Sequence, residues 1–437
     1  MKDLKNKVIQ GECLDWLKKI PSKSIDTLIT DPPAGISFMG KSWDDDKGGR
    51  DEWIEWLTSV LKECNRVLKP GATALVWAIP RTSHWTATAI ENAGFQIKDI
   101  IMHIFGSGFP KSHNIGKSTD KKEWVGYGTA LKPAAEHWIL AQKKPEGTYA
   151  NNALKWGVAG LNIDGGRIST DDNLNGGEFS KKSDKREATS FSIPQGNGEY
   201  KQPQGRFPAN IILDEEAGKM LDEQSGESKG FNRPNLRNTK YKNNFIDNDY
   251  KEIDFGKVNM YDDKGGASRF FYCAKASKAE RNAGCEELKD KQMYYDDRRG
   301  GSFDIMVKRD ENGKPLNPPR KNNHPTIKPL KLMEYLCTLT KTPTGGIVLD
   351  PFAGSGTTGV ACQNTGRDFI LIEREKEYID IIKARLSQSK QKKLTEEERR
   401  AYALVGSHGG KSTLKKHGRK YMSTIGKRGA EKRWAKK

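Results

Sequence analysis

Cysteine is sparse in this chain. Six occur in 437 residues (Cys13, Cys64, Cys273, Cys285, Cys337 and Cys362), and no two stand at C-x-x-C spacing. The scatter excludes a disulfide framework, and the seven histidines complete no zinc pattern. Free, mostly buried thiols in a reducing compartment are expected, with no metal. Long hydrophobic runs are missing as well. No apolar stretch approaches the roughly 20 residues that cross a bilayer, and Met1 to Lys7 lacks the apolar core of a secretory signal. A cytoplasmic protein with no membrane partner is expected. Acidic residues are in deficit: 57 Asp and Glu face 75 Lys and Arg, a net charge of +18. The stretch from Gln388 to Lys437 alone holds 16 basic residues against 4 Glu, so it carries +12 of that total. A polyanion is the natural partner, nucleic acid ahead of membrane because no amphipathic stripe accompanies the charge. A purely solubilising tail is the bland alternative.

What is present is an alternation of strand-like and helix-like segments, the mark of an α/β protein with a parallel sheet wrapped by helices. Residues 7–12 and 25–30 read as strands. Between 51 and 68 the apolar positions Trp53, Ile54, Leu57, Val60, Leu61, Cys64 and Val67 recur at helical period, and Lys69-Pro70-Gly71 reads as the stop. Strands are expected at 73–79, 95–105 and 137–142, with a helix over 82–93. After Lys144 the pattern thins. Residues 171–205 and 225–268 are rich in Gly, Asn, Ser, Asp and Lys, broken by apolar islands at Phe207 to Leu213 and Arg269 to Cys273. Regular patterning resumes at Pro329: helix 330–340, strand 347–350, helix 357–364, strand 369–373 and helix 375–386. Four regions follow: a catalytic half (1–149), a loop-rich recognition insertion (150–320), a cofactor half (321–388) and a basic tail (389–437).

Two turns carry the chemistry, and each follows a buried strand, where open α/β sheets bind ligands. In the later one, Asp350-Pro351-Phe352-Ala353-Gly354-Ser355-Gly356-Thr357, the glycines let backbone approach a ligand closely, and the helix from Thr357 offers free N–H groups to a carboxylate. Glu373, at the end of the next strand, is placed to accept both ribose hydroxyls. Strand, turn, helix, strand and acid together point to adenosine binding. The bulky Phe352 and the absence of a third glycine at dinucleotide spacing favour S-adenosyl-L-methionine over NAD. Upstream, His324-Pro325-Thr326-Ile327-Lys328-Pro329 is an extended lead-in from which Thr326 and Lys328 are expected to reach the methionyl carboxylate. The earlier turn, Asp31-Pro32-Pro33-Ala34, is acidic and stiff. The Asp31 carboxylate and the Pro32 carbonyl form an acceptor pair for both hydrogens of an exocyclic amino group, drawing its nitrogen toward tetrahedral geometry. A base taken from a duplex must be flipped out and stacked on something flat. Ala34 offers no such face, so Phe38 or Trp43 is expected to supply it.

These residues resemble the amino-methylating DNA methyltransferases, which act on adenine N6 or cytosine N4 and carry paired Asp-Pro-Pro-Tyr and Phe-x-Gly-x-Gly signatures. Catalytic turn first, variable region next and cofactor turn last is similar to the family's β arrangement. The resemblance covers about residues 7–145 and 320–388, and His324 to Pro329 and Gly11-Glu12-Cys13 extend it. It implies a doubly wound, mostly parallel, Rossmann-like sheet in which the C-terminal cofactor strands lie beside the N-terminal catalytic ones. It also implies Asp31, Pro32, Pro33 and Ala34 as catalytic positions, and Asp350, Phe352, Gly354, Ser355, Gly356, Thr357, Glu373, Glu12, Thr326 and Lys328 around the cofactor. The implied partner is double-stranded DNA and, in a restriction–modification setting, a cognate restriction endonuclease. The aspartate favours adenine N6. Cytosine N4, an RNA or protein amide substrate, and a catalytically weak DNA-binding relative are the alternatives, the last kept open by Ala34.

Overall fold

The computed structural model describes residues 2–37, 42–108, 112–119, 121–170, 174, 204–227, 265–274, 282–288, 291–294, 316–324 and 326–391. Phe38 and the basic tail beyond residue 391 lie outside them. The chain divides into two compact units, Met1–Leu386 and Ser387–Lys437, and the site lies in the first.

In chain order the first unit runs β1 (Lys7–Gln10), α1 (Cys13–Leu17), β2 (Ile25–Thr30), α2 (Arg50–Val67), β3 (Leu68–Ala78), α3 (Ser83–Asn92), β4 (Phe95–Ile104), β5 (Ala135–Lys143) and α4 (Tyr149–Trp156). It continues with β6 (Ile211–Asp214), α5 (Glu215–Ser225), β7 (Tyr272–Ala274), the hairpin strands β8 (Lys291–Tyr294) and β9 (Leu316–Arg320), and α6 (Leu330–Leu339). The last elements are β10 (Ile347–Asp350), α7 (Thr357–Asn364), β11 (Asp368–Glu373) and α8 (Lys376–Gln391). Among the described residues nine strands form one sheet in the order β1-β11-β10-β2-β3-β5-β4-β6-β7. Its pairs are parallel except where β5 runs antiparallel between β3 and β4.

The central strands are buried throughout, as a parallel sheet covered on both faces requires. Alternate residues point to opposite faces, so Leu28, Leu349 and Ile370 enter one core while Ile29, Val348 and Leu371 enter the other. α2 fills the first core with Trp53, Leu57, Val60, Leu61 and Cys64, and α6 and α7 fill the second with Leu332, Leu336, Val360 and Ala361. Each large side chain so buried contributes about 1.5–3 kcal/mol.

One expectation changes. Lys69-Pro70-Gly71 was expected to separate helix from strand, yet α2 ends at Val67 and β3 begins at Leu68. Pro70 and Gly71 sit inside β3 where its register with β2 slips, between Ile25↔Leu68 and Thr27↔Thr73. Side-chain amides satisfy the displaced carbonyls: Asn152 Nδ2 donates to Pro70 O at 2.9 Å and Gln142 Nε2 to Gly71 O at 3.1 Å. The apolar islands form β6 and β7, which extend the main sheet beyond β4.

Candidate active site at the switch point of the sheet

From β2 the chain passes through α2 to β3 on one side, and from β10 through α7 to β11 on the other. The loops after β2 and β10 therefore part at the switch point, where a crevice opens at the strands' carboxyl ends. Side chains clamp these strands at both ends. At the far end, Arg367 Nη2 donates to Thr27 Oγ1 at 2.7 Å, and Ile347 N donates to Asp26 Oδ2 at 2.7 Å. At the crevice end, Thr30 Oγ1 donates to Asp350 Oδ1 at 2.8 Å. Residues 31 and 351 are thereby set side by side across about 320 residues of chain. A cavity of about 1350 Å³ is lined from both loops, including Asp31, Pro32, Pro33 and Ala34 on one side and Phe352, Gly354, Ser355, Thr357 and Glu373 on the other.

The later turn is tied by its own acids. Asp350 also accepts from Phe352 N at 3.1 Å and from Thr358 Oγ1 at 2.6 Å. Burial pushes its carboxyl up to about 6 against the Thr358 and Thr30 hydroxyls, which act to lower it. Glu373 accepts from Gly354 N and from Glu375 N, both at 2.8 Å. Burial raises it to about 7, partly offset by those two backbone donors. Gly354 has φ +52°, and a Cβ there would come 2.8 Å from His324 Nε2. That imidazole roofs the turn, with Nδ1 donating to Thr326 O at 2.7 Å. Gly356 answers a different need: it has φ +77°, and a Cβ would strike Ile382 of α8 at 2.8 Å. Arg385, buried on α8, donates to Ser355 O at 2.7 Å and to Thr357 Oγ1 at 3.0 Å, fixing the start of α7.

The earlier turn is held by its following loop. Asp44 accepts from Gly35 N at 3.0 Å, and Thr82 Oγ1 donates to Ala34 O at 3.0 Å. Asp31 meets Lys328, with Nζ to Oδ2 at 3.0 Å. Burial pushes the Asp31 carboxyl up, against the pull of that ammonium. Lys328 Nζ also lies 3.4 Å from the centroid of the Trp77 ring. Trp77 Nε1 donates to Glu136 Oε2 at 3.0 Å. Burial works to raise Glu136, but the Lys328 ammonium and its hydrogen-bond donors bring it down to about 2.

The cavity thus gathers Asp31, Pro32, Pro33, Ala34, Trp43, Glu12, Thr326, Lys328, Phe352, Gly354, Ser355, Thr357 and Glu373. Four expected contacts are placed differently. Asp350 is absent from the lining and spends its oxygens on the two turns, while Gly356 packs on α8. Lys328, expected to reach the methionyl carboxylate, pairs with Asp31. Trp43, expected as a base-stacking face, lies 19° from parallel with His324 at 6.4 Å, toward the cofactor turn. Glu12 pairs with Arg374 at 3.4 Å. Sequence reasoning missed His324, Trp77, Glu136 and Arg385 as site residues. His324 was legible from its own motif, and Trp77 from its place at the end of the strand beside β2. Glu136, on the antiparallel β5, carries no local signal.

The cradle fits an adenosyl group with a charged tail. It offers a buried carboxylate, a turn where any Cβ would intrude, and helix N–H groups at α7. No group of three or more metal-ligating side chains occurs among the described residues. Curated relatives match over short stretches: Type II methyltransferase M2.DpnII of Streptococcus pneumoniae is 52% identical over 63 residues, 14% of this chain and 23% of the relative. Type II methyltransferase M.BamHI of Bacillus amyloliquefaciens is 33% identical over 78 residues, 17% and 18% of the two chains. The matches thus span less than a quarter of each relative's length. Among solved structures, the M1.HpyAVI–SAM complex is 19% identical with a TM-score of 0.37, covering 87% of this chain and 98% of that one. The cytosine-N4-specific PvuII DNA methyltransferase is 14% identical with a TM-score of 0.41, covering 87% and 85%. The N6/N4 methyltransferase family model, described as DNA methylase, matches residues 25–384, most of the chain, and the protein belongs to that family.

Proposed function

We propose that this protein transfers a methyl group from S-adenosyl-L-methionine to the exocyclic amino group of a base flipped out of double-stranded DNA, with adenine N6 as the target. One observation carries the reading: the acidic Asp31 turn and the Gly354–Glu373 cradle open into one cavity at the switch point. Glu373 would hold the ribose hydroxyls, and Gly354 with the N-terminus of α7 the methionyl end. Bound there, the cofactor supplies an activated methyl on its sulfonium. The rest falls to the chain's own groups. Asp31 and the Pro32 carbonyl take the two amino hydrogens, which localises the lone pair of a nitrogen otherwise conjugated with the ring. Asp31 then accepts the proton that the nitrogen sheds, a role suited to a carboxyl that burial has raised. The two prolines keep that acceptor pair stiff.

The test is labelled methyl transfer to unmethylated plasmid DNA, followed by digestion to nucleosides. Labelled N6-methyldeoxyadenosine is expected. Labelled N4-methyldeoxycytidine would correct the base, and transfer to structured RNA but not to duplex DNA would overturn the substrate.

A further inference from the structure

We propose that the flipped base stacks on the indole of Trp77, and that the Lys328 ammonium occupies the place of its amino group until the base arrives. The inference rests on the methyltransferase reading and adds to it the base subsite. Ala34 has no flat face to offer and packs into the core beneath the sheet. Trp43 turns toward His324. Trp77, at the end of the strand beside β2, lines the cavity within reach of Asp31.

The ammonium marks where a substrate nitrogen fits. Lys328 Nζ stands 3.4 Å from the indole ring centroid, the spacing of about 3.4 Å between stacked bases. The same nitrogen lies 3.0 Å from Asp31 Oδ2, an ordinary donor distance. A base lying flat on Trp77 with its amino group on Asp31 must put nitrogen under the same two constraints. Trp77 is only 7% exposed with the lysine in place, so the ring face is kept from water while it waits. Glu136 completes the device. Its bond to Trp77 Nε1 fixes the plane of the indole, and as a carboxylate kept ionised it gives the displaced ammonium a second anion to join. Lys328 need only exchange one carboxylate for another, and no bond is made or broken.

The test compares Trp77→Leu with Trp77→Phe, and adds Lys328→Met. The DNA probe is a duplex with 2-aminopurine replacing the base that modification-sensitive sequencing of expressing cells identifies. Calorimetry with S-adenosylhomocysteine reports whether each variant folds. Trp77→Leu is expected to lower kcat/KM roughly 10- to 100-fold, the loss of one base–aromatic stack, while Trp77→Phe stays within about threefold. Bound 2-aminopurine, quenched on the indole, should brighten severalfold in Trp77→Leu. Lys328→Met vacates the amino site and should tighten binding of the duplex carrying the natural base, whose amino group enters that site, severalfold. Wild-type turnover and emission in Trp77→Leu would overturn the proposal, as would equal damage in the Phe and Leu variants with cofactor binding intact. If Trp77→Leu binds no S-adenosylhomocysteine, Lys328→Met decides: unchanged or weaker binding of the natural-base duplex sinks the idea. Failure of the underlying reading looks different, because the wild-type protein would then methylate no DNA at all.

Discussion

The two turns at the switch point hold their acids in opposite ways. After β10, Asp350 and Glu373 are held by hydroxyls and backbone amides of the chain itself, so that turn is shaped before any ligand arrives. After β2, the Asp31 carboxylate is held by one ammonium from a distant segment. Neutral donors fixed in the backbone define a shape. A single cation on a flexible stem defines a charge that another donor can replace. The contrast suits the two proposed tasks: a cofactor cradle gains from preorganisation, while a catalytic acceptor must be vacated for its substrate.

The largest effect should come from removing the exchangeable acid. Asp31→Ala is expected to cut kcat by about 10²–10³ or more, as loss of a group that stabilises developing charge does. The Kd for S-adenosylhomocysteine should stay within about twofold, because Glu373 and the α7 end of the cavity are untouched. Asp31→Ala with wild-type turnover, measured by labelled methyl transfer, would remove the catalytic assignment. A tenfold loss of cofactor affinity in the same variant would erase the division between the two turns.

Next in size is a change that should damage both turns together. Asp350 accepts from Thr30 at the end of β2 and from Phe352 and Thr358 in the cofactor turn. Asp350→Ala strands two buried hydroxyls and one amide, which should cost about 2–4 kcal/mol in urea unfolding, partial rehydration being included. Turnover and cofactor affinity should fall in parallel. If stability is lost while both functions survive, the clamp between β2 and β10 is not what aligns them.

Much of this arrangement was legible because it is local. The strand Ile25–Thr30 and the unit from Ile347 to Asn364 follow from buried apolar runs that end in glycine or proline turns. Their adjacency followed from family resemblance, and the pairing of β10 with β2 bears it out. What stayed hidden depends on contacts without a sequence period. Lys328 reads as part of a proline-rich lead-in, and nothing near it in the chain says that its ammonium crosses to Asp31. Glu136 lies on a strand whose antiparallel placement between β3 and β4 cannot be read from its own residues. Pro70 and Gly71 misled for the converse reason: a strong local breaker was absorbed by amides from Asn152 and Gln142, both far along the chain.

Glu373→Ala should come third, raising the Kd for S-adenosylhomocysteine about 10- to 100-fold, the loss of charge-assisted hydrogen bonds to a ligand. DNA binding should be unchanged. Equal loss of DNA binding would mean that the cradle and the base pocket are not separable as proposed.

The smallest effect is a pH dependence confined to the preorganised side. Glu373 is raised to about 7 by burial, with Glu375 and Asp350 adding to the rise and the backbone donors at Gly354 and Glu375 working against it. Ribose hydroxyls need the ionised form as acceptor, so cofactor binding below pH 7 must first expel a proton. Affinity should therefore be flat above about pH 8 and weaken by about tenfold on going down to pH 6. The sign for folding runs the other way. A carboxyl raised in the folded state lends stability at low pH, and that stability is lost as pH rises through about 7 in the free protein. Cofactor titrations of the wild type and Glu373→Gln at both pH values separate the contributions. The variant should bind more weakly but with little pH dependence. A wild-type slope that persists in Glu373→Gln would assign the proton to another group and leave the cradle's acid without its proposed role.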